Sequence, residues 1–324
     1  MVRKLAPILA AILLAVTAAA AATATTVDKR ITGGEDAKVG EIPFIVSIQR
    51  LSRHVCGGTL LDSTTVLSAA HCFEKESDNL TIRAGTLDAR TGGVVVNVTA
   101  VKIHPNWGTL WSGPSFAEND ISIIKLSTPI EASHTIRFTS LPPNSSTPEP
   151  GSSMVVAGWG HQSVLPPNAN LSSLRPAAKL SKVPIYIHPL EECKKLWHFL
   201  ENRETVFCAG GDGKGSCALD SGGPVFDPVT GYVVGIVSFG MNDKDETNCN
   251  QVPGIYTDVG SYIPFIEKYL GAAGYCAINE PDAHSTAPPE TFDQCVEKCV
   301  KEQHLKPQQC GAGCVKKFSK RLSR

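Results

Sequence analysis

Short β-prone runs, each followed by turn residues, succeed one another through the middle of this 324-residue chain. Gly, Pro, Asn or Asp clusters separate them, and six runs have the length of strands: residues 44–48, 66–68, 94–101, 121–126, 154–157 and 233–237. Since no long helical period interrupts the series, the pattern predicts an all-β barrel or sandwich of about 240 residues. Ser261 is an N-cap residue type, and Ile263, Ile266 and Leu270 follow at helical spacing, which predicts a terminal helix.

The composition indicates an exported globular protein. A formal net charge of -1 gives no overall basic field, so nucleic acid is not an expected partner. The hydrophobic fraction of 42% is ordinary for a folded protein and excludes disorder throughout. Eleven cysteines are many for a reducing cytosol, and they indicate loops cross-linked in an oxidising compartment.

Residues 1–24 have the features of a cleaved secretion signal. Arg3 and Lys4 precede an apolar run over residues 5–16, and the small residues at 22–24 match a cleavage site. A membrane anchor is the alternative, because the Ala-rich continuation lengthens the run, but the cleavage site favours removal and an extracellular protein without a transmembrane anchor. Four sequons are compatible with glycosylation on that route: Asn79, Asn97, Asn144 and Asn170.

Residues 25–30 form a short polar segment that ends in the dibasic pair Lys29-Arg30. We interpret the segment as an activation propeptide, because a dibasic pair in an exposed linker is a processing site. Cutting after Arg30 would create a new α-amino group on Ile31. A solvated charge pair is the alternative interpretation of these two residues.

The glycine-rich stretch over residues 215–224 centres on Ser221. A serine performs acyl chemistry only where a base takes its proton and backbone N–H groups receive the negative oxygen. The two glycines after it allow a sharp turn and a close approach of the backbone to a substrate. Asp220, directly before the serine, is costly to bury unless a cation meets it, and the α-amino group of Ile31 is a candidate.

Two other residues carry matching chemistry elsewhere in the chain. His71 ends an apolar strand beside Cys72, and Asp120 begins another strand. Taken singly, the histidine would be structural and the aspartate a turn residue. Together with Ser221 they make a base, a carboxylate and a nucleophile, which is the set that acyl transfer needs.

The chain resembles the chymotrypsin-fold (trypsin-like) serine proteases over residues 31–270, and the order His71, Asp120, Ser221 matches that family. The motifs that carry the resemblance are Ile31-Thr32-Gly33-Gly34, Cys56-Gly57-Gly58, Ala69-Ala70-His71-Cys72, Asn119-Asp120-Ile121, Ala157-Gly158-Trp159-Gly160, Asp220-Ser221-Gly222-Gly223-Pro224, Ser238-Phe239-Gly240 and Pro253-Gly254-Ile255-Tyr256. The resemblance implies two packed six-stranded antiparallel β-barrels with the active site between them, protein or peptide substrates, and no cofactor or metal.

The resemblance also implies an acyl-enzyme mechanism. Ser221 would attack the scissile carbonyl while His71 takes its proton, and Asp120 would orient the imidazole and stabilise its charged form. The N–H groups of Leu219 and Ser221 would form the oxyanion hole. The reaction class is therefore peptide-bond hydrolysis by a secreted serine endopeptidase.

Activation follows from the same resemblance. The secreted form would be a zymogen, and an activating protease would cut it after Arg30. The freed Ile31 ammonium would then pair with Asp220 and organise the oxyanion hole. The pair raises the pKa of the amine, so activity is expected to fall on the alkaline side. Protein protease inhibitors are further candidate partners.

The specificity pocket implied by the resemblance lacks an aspartate at its base. The base residues are Gly215 and Ser216, and the walls are Ser238, Phe239, Gly240 and Gly254. An open slot with glycine walls predicts a chymotrypsin-like preference for large apolar side chains such as Phe, Tyr, Leu or Met. A carboxylate from the acidic loop over residues 243–246 could instead recruit a basic side chain, although a solvated loop is the favoured interpretation.

Leu219 departs from the family, which has glycine at this position of the oxyanion hole. If the backbone there has a positive φ, leucine costs about 1 to 2 kcal/mol and the peptide can rotate its N–H away. Alternatively the N–H stays and the side chain only crowds the leaving-group side of the cleft. A working but restricted enzyme is the favoured hypothesis, and a catalytically weakened homologue that binds proteins is the alternative.

The resemblance implies three disulfides, Cys56 to Cys72, Cys193 to Cys208, and Cys217 to Cys249. Beyond it, residues 271–290 are predicted to be a linker and residues 291–324 a cysteine-rich helical hairpin with a basic tail. The hairpin pairing would be Cys295 to Cys314 and Cys299 to Cys310, with a metal site as the alternative and Cys276 left over. In a third hypothesis this hairpin is the functional module, and the protease domain only carries it.

Overall fold

The computed structural model describes residues 33–73, 79–108, 118–161, 174–197, 200–201, 203–240 and 249–270. Six strands of the first half form a closed antiparallel barrel in the order β2-β3-β4-β7-β6-β5. Their bounds are β2 (Ile45–Arg50), β3 (Arg53–Asp62), β4 (Thr65–Ser68), β5 (Leu80–Ala84), β6 (Val94–Ile103) and β7 (Ser122–Leu126). Ile48 of β2 pairs with Ile82 of β5, and both side chains are fully buried where the barrel closes.

The second half forms a similar barrel. Its strands are β8 (Ser153–Gly158), β9 (Ser181–His188), β10 (Val206–Ala209), β11 (Pro224–Phe226), β12 (Val233–Phe239) and β13 (Gly254–Asp258). The pairing order β9-β10-β13-β12-β11-β8 closes because β8 also pairs with β9. The alternation along β9 turns Val183, Ile185 and Ile187 into the core, while Tyr186 is exposed. The predicted two six-stranded barrels are therefore confirmed.

The two barrels pack against each other over a shared core. One buried cluster contains Leu67 and Ile121 from the first half and Trp159 and Ile236 from the second. The short strand β1 (Glu35–Asp36) also pairs with β9, so the start of the first half is attached to the second barrel. Burial of this interface fixes the ends of strands from both halves close together, where the motifs of the sequence lie.

The terminal helix forms, but with a different cap from the predicted one. A 3-10 turn over Val259–Tyr262 precedes the helix Ile263–Glu267. The carboxylate of Asp258 caps the turn by accepting from the N–H of Gly260 at 3.2 Å, and Ser261 lies inside the turn and donates to Asp258 Oδ2 at 3.0 Å. The prediction that Ser261 is the N-cap was wrong, because the charged acceptor at the end of β13 takes that position.

A second helix, Leu190–Leu196, lies between β9 and β10 and was not predicted. No helix within the described ranges has the length and apolar character of a membrane span. The predicted signal and propeptide, the linker and the cysteine-rich hairpin all lie outside the described residues.

Candidate active site

His71 and Asp120 meet because the strands that carry them are neighbours. His71 begins a 3-10 turn soon after β4, and Asp120 stands two residues before β7, with Ser68 of β4 paired to Ser122 of β7. The imidazole Nδ1 of His71 lies 2.8 Å from Asp120 Oδ2, and the His71 backbone N–H donates to Asp120 Oδ1 at 2.9 Å. Both carboxylate oxygens therefore hold the same residue, which fixes the ring orientation.

The surroundings of the buried Asp120 side chain favour its ionised form. Its side chain is 2% exposed, and Ser238 Oγ donates to its Oδ2 at 2.5 Å. Burial alone would raise the pKa of Asp120, but the charge and hydrogen bond of His71, together with the Ser238 hydroxyl, outweigh burial and hold the pKa below its usual value. Thr257 Oγ1 also donates to the Asp120 carbonyl at 2.9 Å, so two residues of the second barrel hold this aspartate.

Ser221 lies in the loop between β10 and β11, against the strand that leads to His71. Its carbonyl oxygen accepts from the N–H of Gly57 on β3 at 2.8 Å. The next residue, Gly222, has φ 77, and a Cβ there would stand 2.7 Å from the Gly57 oxygen and even closer to Ser68 Oγ. Only glycine allows this approach, which brings the serine to the edge of the first barrel.

The backbone around Leu219 keeps two N–H groups available. Leu219 has φ 78, and its carbonyl accepts from His54 Nε2 at 2.9 Å. The preceding carbonyl, that of Ala218, accepts from the N–H of His161 at 2.8 Å. Within the described part of the chain, neither the N–H of Leu219 nor that of Ser221 donates to another protein atom. An oxyanion hole needs two such N–H donors, and the assignment of that role to Leu219 and Ser221 stays a prediction.

His54 supports this loop as a neutral residue, a role that sequence reasoning missed. Its Nδ1 lies 2.8 Å from Ser47 Oγ, while Nε2 faces the Leu219 carbonyl. Burial lowers the pKa of His54 to about 4. Because a carbonyl only accepts, Nε2 carries the proton and Nδ1 accepts from the serine hydroxyl. No local pattern around His54 distinguishes it from any other strand histidine.

Asp220 is fully buried beside Ser221. Its oxygens accept from the backbone N–H groups of Gly160 at 2.6 Å and Cys217 at 2.9 Å. Burial raises the pKa of Asp220 to about 7. The predicted ionic partner Ile31 and the cut site at Arg30 lie outside the described residues. Among the described residues these two backbone N–H groups are the hydrogen-bond donors to the Asp220 carboxylate.

The residues predicted to form the specificity pocket lie on two paired strands and in the loop before Ser221. Ser238 and Phe239 end β12, Gly240 follows it, Gly254 begins β13, and Gly215 and Ser216 precede Cys217 in the loop. Their role as base and walls of a pocket stays a prediction. A Cβ on Gly240 would meet no atom of the described residues within 4 Å. The Ser216 hydroxyl lies 3.4 Å from Tyr256 Oη, whose pKa burial raises to about 12. The acidic loop over residues 243–246 lies outside the described residues.

Three disulfides brace these loops, in the three pairs that the family resemblance implies. Cys56–Cys72 joins β3 to the turn of His71, Cys193–Cys208 joins the helix Leu190–Leu196 to β10, and Cys217–Cys249 joins the Ser221 loop to the segment before β13. One group with the spacing of metal ligands is found among the described residues, Cys56, His71 and Cys72. Its two sulfurs are bonded to each other, so they do not fit a metal site. The remaining five cysteines lie outside the described residues.

Known proteins match the same part of the chain. The family model described as Trypsin matches residues 31–266. Chymotrypsin-C of Mus musculus is 36% identical over 260 residues, which cover 74% of this chain and 89% of that protein. Chymotrypsin-C of Rattus norvegicus is 35% identical over 256 residues with the same two shares of 74% and 89%. Trypsin beta of Drosophila erecta is 34% identical over 235 residues, 72% of this chain and 85% of that protein.

Proposed function

The chain belongs to the trypsin family of serine proteases, and we propose that it is a secreted, catalytically active endopeptidase made as a zymogen. The observation that carries the proposal is the 2.8 Å contact between His71 Nδ1 and the buried Asp120 carboxylate. Gly222, next to Ser221, packs closely against Ser68 at the end of the strand before His71. With Nδ1 occupied, Nε2 is the nitrogen that exchanges protons with substrate and nucleophile.

In the proposed reaction, His71 Nε2 takes the proton of Ser221 as the hydroxyl oxygen attacks the scissile carbonyl carbon. The oxygen becomes negative and accepts from the N–H groups of Leu219 and Ser221. The tetrahedral intermediate collapses, the imidazolium gives its proton to the leaving amine, and the acyl-enzyme remains. A water molecule then attacks the acyl carbon while His71 Nε2 takes its proton. The ester bond to Ser221 breaks, His71 returns the proton to the Ser221 oxygen, and the carboxylic acid product leaves.

Activation is proposed to depend on the α-amino group freed by cutting after Arg30. Asp220 supports this idea, because it is a fully buried carboxylate whose two donors among the described residues are backbone N–H groups. An ammonium from Ile31 would neutralise it and stabilise the loop that carries both oxyanion donors. The activator would be a protease that recognises Lys29-Arg30, and release of the zymogen would follow removal of residues 1–24.

The proposed substrates are proteins or peptides with a large apolar residue before the cleaved bond. Gly215, at the proposed pocket base, carries no charge, and Gly240 and Gly254, at the proposed walls, have no side chain that would narrow the slot. Protein inhibitors that occupy the same cleft are expected partners. Asn79, Asn97 and Asn144 are exposed, which makes these three sequons suitable for glycosylation during export.

A second candidate is a catalytically weakened homologue that binds proteins through the cleft. Leu219 favours it, because a leucine held at φ 78 carries a conformational cost of about 1 to 2 kcal/mol. The hydrogen bond from His161 to the Ala218 carbonyl supports the active enzyme instead, because it keeps the peptide that contains the Leu219 N–H in one orientation. The third hypothesis, with residues 291–324 as the active module, concerns residues outside the described ranges and is tested by deleting everything after Leu270.

Hydrolysis of a peptide library by the protein cut after Arg30 tests the proposal. We expect cleavage after large apolar residues and no cleavage by the matched Ser221→Ala protein. Binding of peptides without hydrolysis would support the weakened homologue. Equal activity of the Ser221→Ala variant would overturn the assignment of the nucleophile.

A further inference from the structure

The carboxamide of Asn250 lies directly beside Gly215, the residue that the family resemblance places at the base of the specificity pocket. A Cβ built on Gly215 would stand 2.5 Å from Asn250 Oδ1 and 2.9 Å from Asn250 Cγ. Gly215 also has φ 153, a conformation that L side chains rarely adopt. The Asn250 carboxamide therefore takes the space that a side chain at position 215 would fill.

Two bonds and a backbone conformation hold Asn250 in this position. The disulfide Cys217–Cys249 joins the residue before it to the loop of the pocket base. Its own carbonyl accepts from the N–H of Gly213 at 2.8 Å. Its backbone has φ 67, a left-handed conformation that asparagine tolerates better than most residues. Asn250 is 5% exposed, so the carboxamide is a fixed part of the pocket base.

The carboxamide has no hydrogen-bond partner among the residues that the structure describes. Asn250 Nδ2 is buried and has no acceptor within the described ranges, and no donor to Oδ1 is found there either. A buried amide without partners is destabilising, and a ligand group that bonds it removes that cost. The nearby Ser216 hydroxyl and Tyr256 Oη add further polarity at this end. The pocket thus combines glycine walls with a polar floor.

We propose that Asn250 is a specificity-determining residue whose carboxamide hydrogen-bonds the polar tip of the substrate side chain and selects tyrosine over phenylalanine. The proposal rests on the protease function proposed above and narrows its substrate class. A phenol hydroxyl both donates and accepts, so it can bond either end of the carboxamide. A pocket that bonds a substrate hydroxyl discriminates against the analogue that lacks it, because its polar groups then stay unpaired.

Matched peptides that differ only in Tyr or Phe before the cleaved bond test the proposal. We expect kcat/KM to favour Tyr by about 10-fold in the natural protein, the worth of one good hydrogen bond. Asn250→Gly keeps the positive φ and removes the carboxamide, so its ratio should fall to about 1. A ratio near 1 in the natural protein, or an unchanged ratio in Asn250→Gly, would overturn the proposal.

Asn250→Asp gives a second readout that does not need catalysis. The substitution keeps the shape and puts a carboxylate at the pocket floor, so benzamidine, a flat aromatic cation, should bind at least about 10-fold more tightly. Binding is measured by calorimetry with Ser221→Ala proteins, with and without Asn250→Asp. The control is Gln251→Glu, which adds the same charge at the exposed neighbouring residue and should leave affinity unchanged.

The two readouts separate the proposal from the function on which it rests. If Asn250→Asp gains benzamidine affinity but the natural protein hydrolyses no peptide, the result would support the placement of Asn250 at the pocket base and count against the protease function. If the natural protein hydrolyses peptides but Asn250→Asp gains no benzamidine affinity, or Gln251→Glu gains as much, the placement of Asn250 at the pocket base would be overturned. The protease function would stand.

Discussion

The backbone N–H of His161 donates to the carbonyl oxygen of Ala218 at 2.8 Å. The N–H and C=O of a trans peptide point in opposite directions, and the described residues contain no cis peptide. The N–H of Leu219, which belongs to the same peptide, therefore points away from His161. This bond keeps the Leu219 N–H, the proposed oxyanion donor, in one orientation although leucine stands where the family has glycine.

The Leu219→Gly variant measures the cost of the leucine. We expect the free energy of unfolding to rise by about 1 kcal/mol, since relief of the strain at φ 78 exceeds the entropy that glycine loses on folding. kcat should change less than about 5-fold, because the donor is already available; a rise of about 10² to 10³-fold would mean that it was not. Leu219→Ala is the control, since it removes bulk but keeps the strain.

The Asp120→Asn variant tests the support of His71. An amide that donates toward Nδ1 forces the wrong tautomer, so kcat should fall by about 10⁴-fold with little change in stability. Steady-state kinetics at neutral pH, with thermal unfolding as the folding check, measure this. Asn119→Ala removes a neighbouring polar side chain that faces Tyr262 instead, and it should keep most of the activity. A fall of less than about 10-fold in Asp120→Asn would contradict the assigned role.

The uncut protein should lose stability as pH rises through the range in which Asp220 ionises. Burial raises the pKa of Asp220 from 3.8 to about 7, so the folded state holds a proton that the unfolded chain has released. Its stabilising effect is therefore complete below the unfolded pKa and lost as pH rises through the folded one. Urea unfolding between about pH 4 and about pH 7 should show this slope, and Asp220→Asn should reduce it.

Cutting after Arg30 should reverse this behaviour. The Ile31 ammonium would keep Asp220 ionised, so the pair would be intact at neutral pH and lost as pH rises through the raised pKa of the amine, above about pH 8. Activity should fall on the same alkaline limb. The Arg30→Gln precursor, which resists cutting, should be inactive; full activity of that precursor would contradict the activation scheme.

Removing the Cys217–Cys249 disulfide should damage both stability and selectivity. The bond closes a separation of 32 residues and holds Asn250 beside Gly215. The double Cys→Ala variant should lose about 2 to 4 kcal/mol of unfolding free energy and most of its Tyr preference. The comparison variant removes Cys193–Cys208, which packs near Phe239 but is not bonded to the segment that carries Asn250, and it should lose stability while keeping the preference. Loss of the Tyr preference in both variants would contradict the proposal that the Cys217–Cys249 bond sets selectivity by positioning Asn250.

Sequence patterns predicted several strands, such as residues 121–126 and 233–237, and they grouped His71, Asp120 and Ser221 as a catalytic set, of which the structure shows His71 and Asp120 in contact. They missed other strands, among them β3 and β11. Strand β11 has three residues, and β3 contains Gly57, where a Cβ would stand 2.8 Å from Gly223 Cα. That glycine serves packing between the barrels, which no local propensity reports.

The residues that were missed at the site act through contacts between distant parts of the chain. His54 reaches Leu219 across 165 residues. Asn250 looks like an ordinary loop residue in the sequence, and only the fold brings its carboxamide to Gly215. Long-range packing of this kind follows from closure of the two barrels and cannot be inferred from neighbouring residues.

Labelling with a serine-directed phosphonyl fluoride tests the central claim most directly, because the reagent needs both an activated serine and a formed oxyanion hole. Mass spectrometry of the protein cut after Arg30 should show one adduct per molecule, located on Ser221, and none in the Ser221→Ala variant. Absence of an adduct in the cut protein, or an adduct elsewhere than Ser221, would contradict the claim that His71, Asp120 and Ser221 form a working catalytic unit.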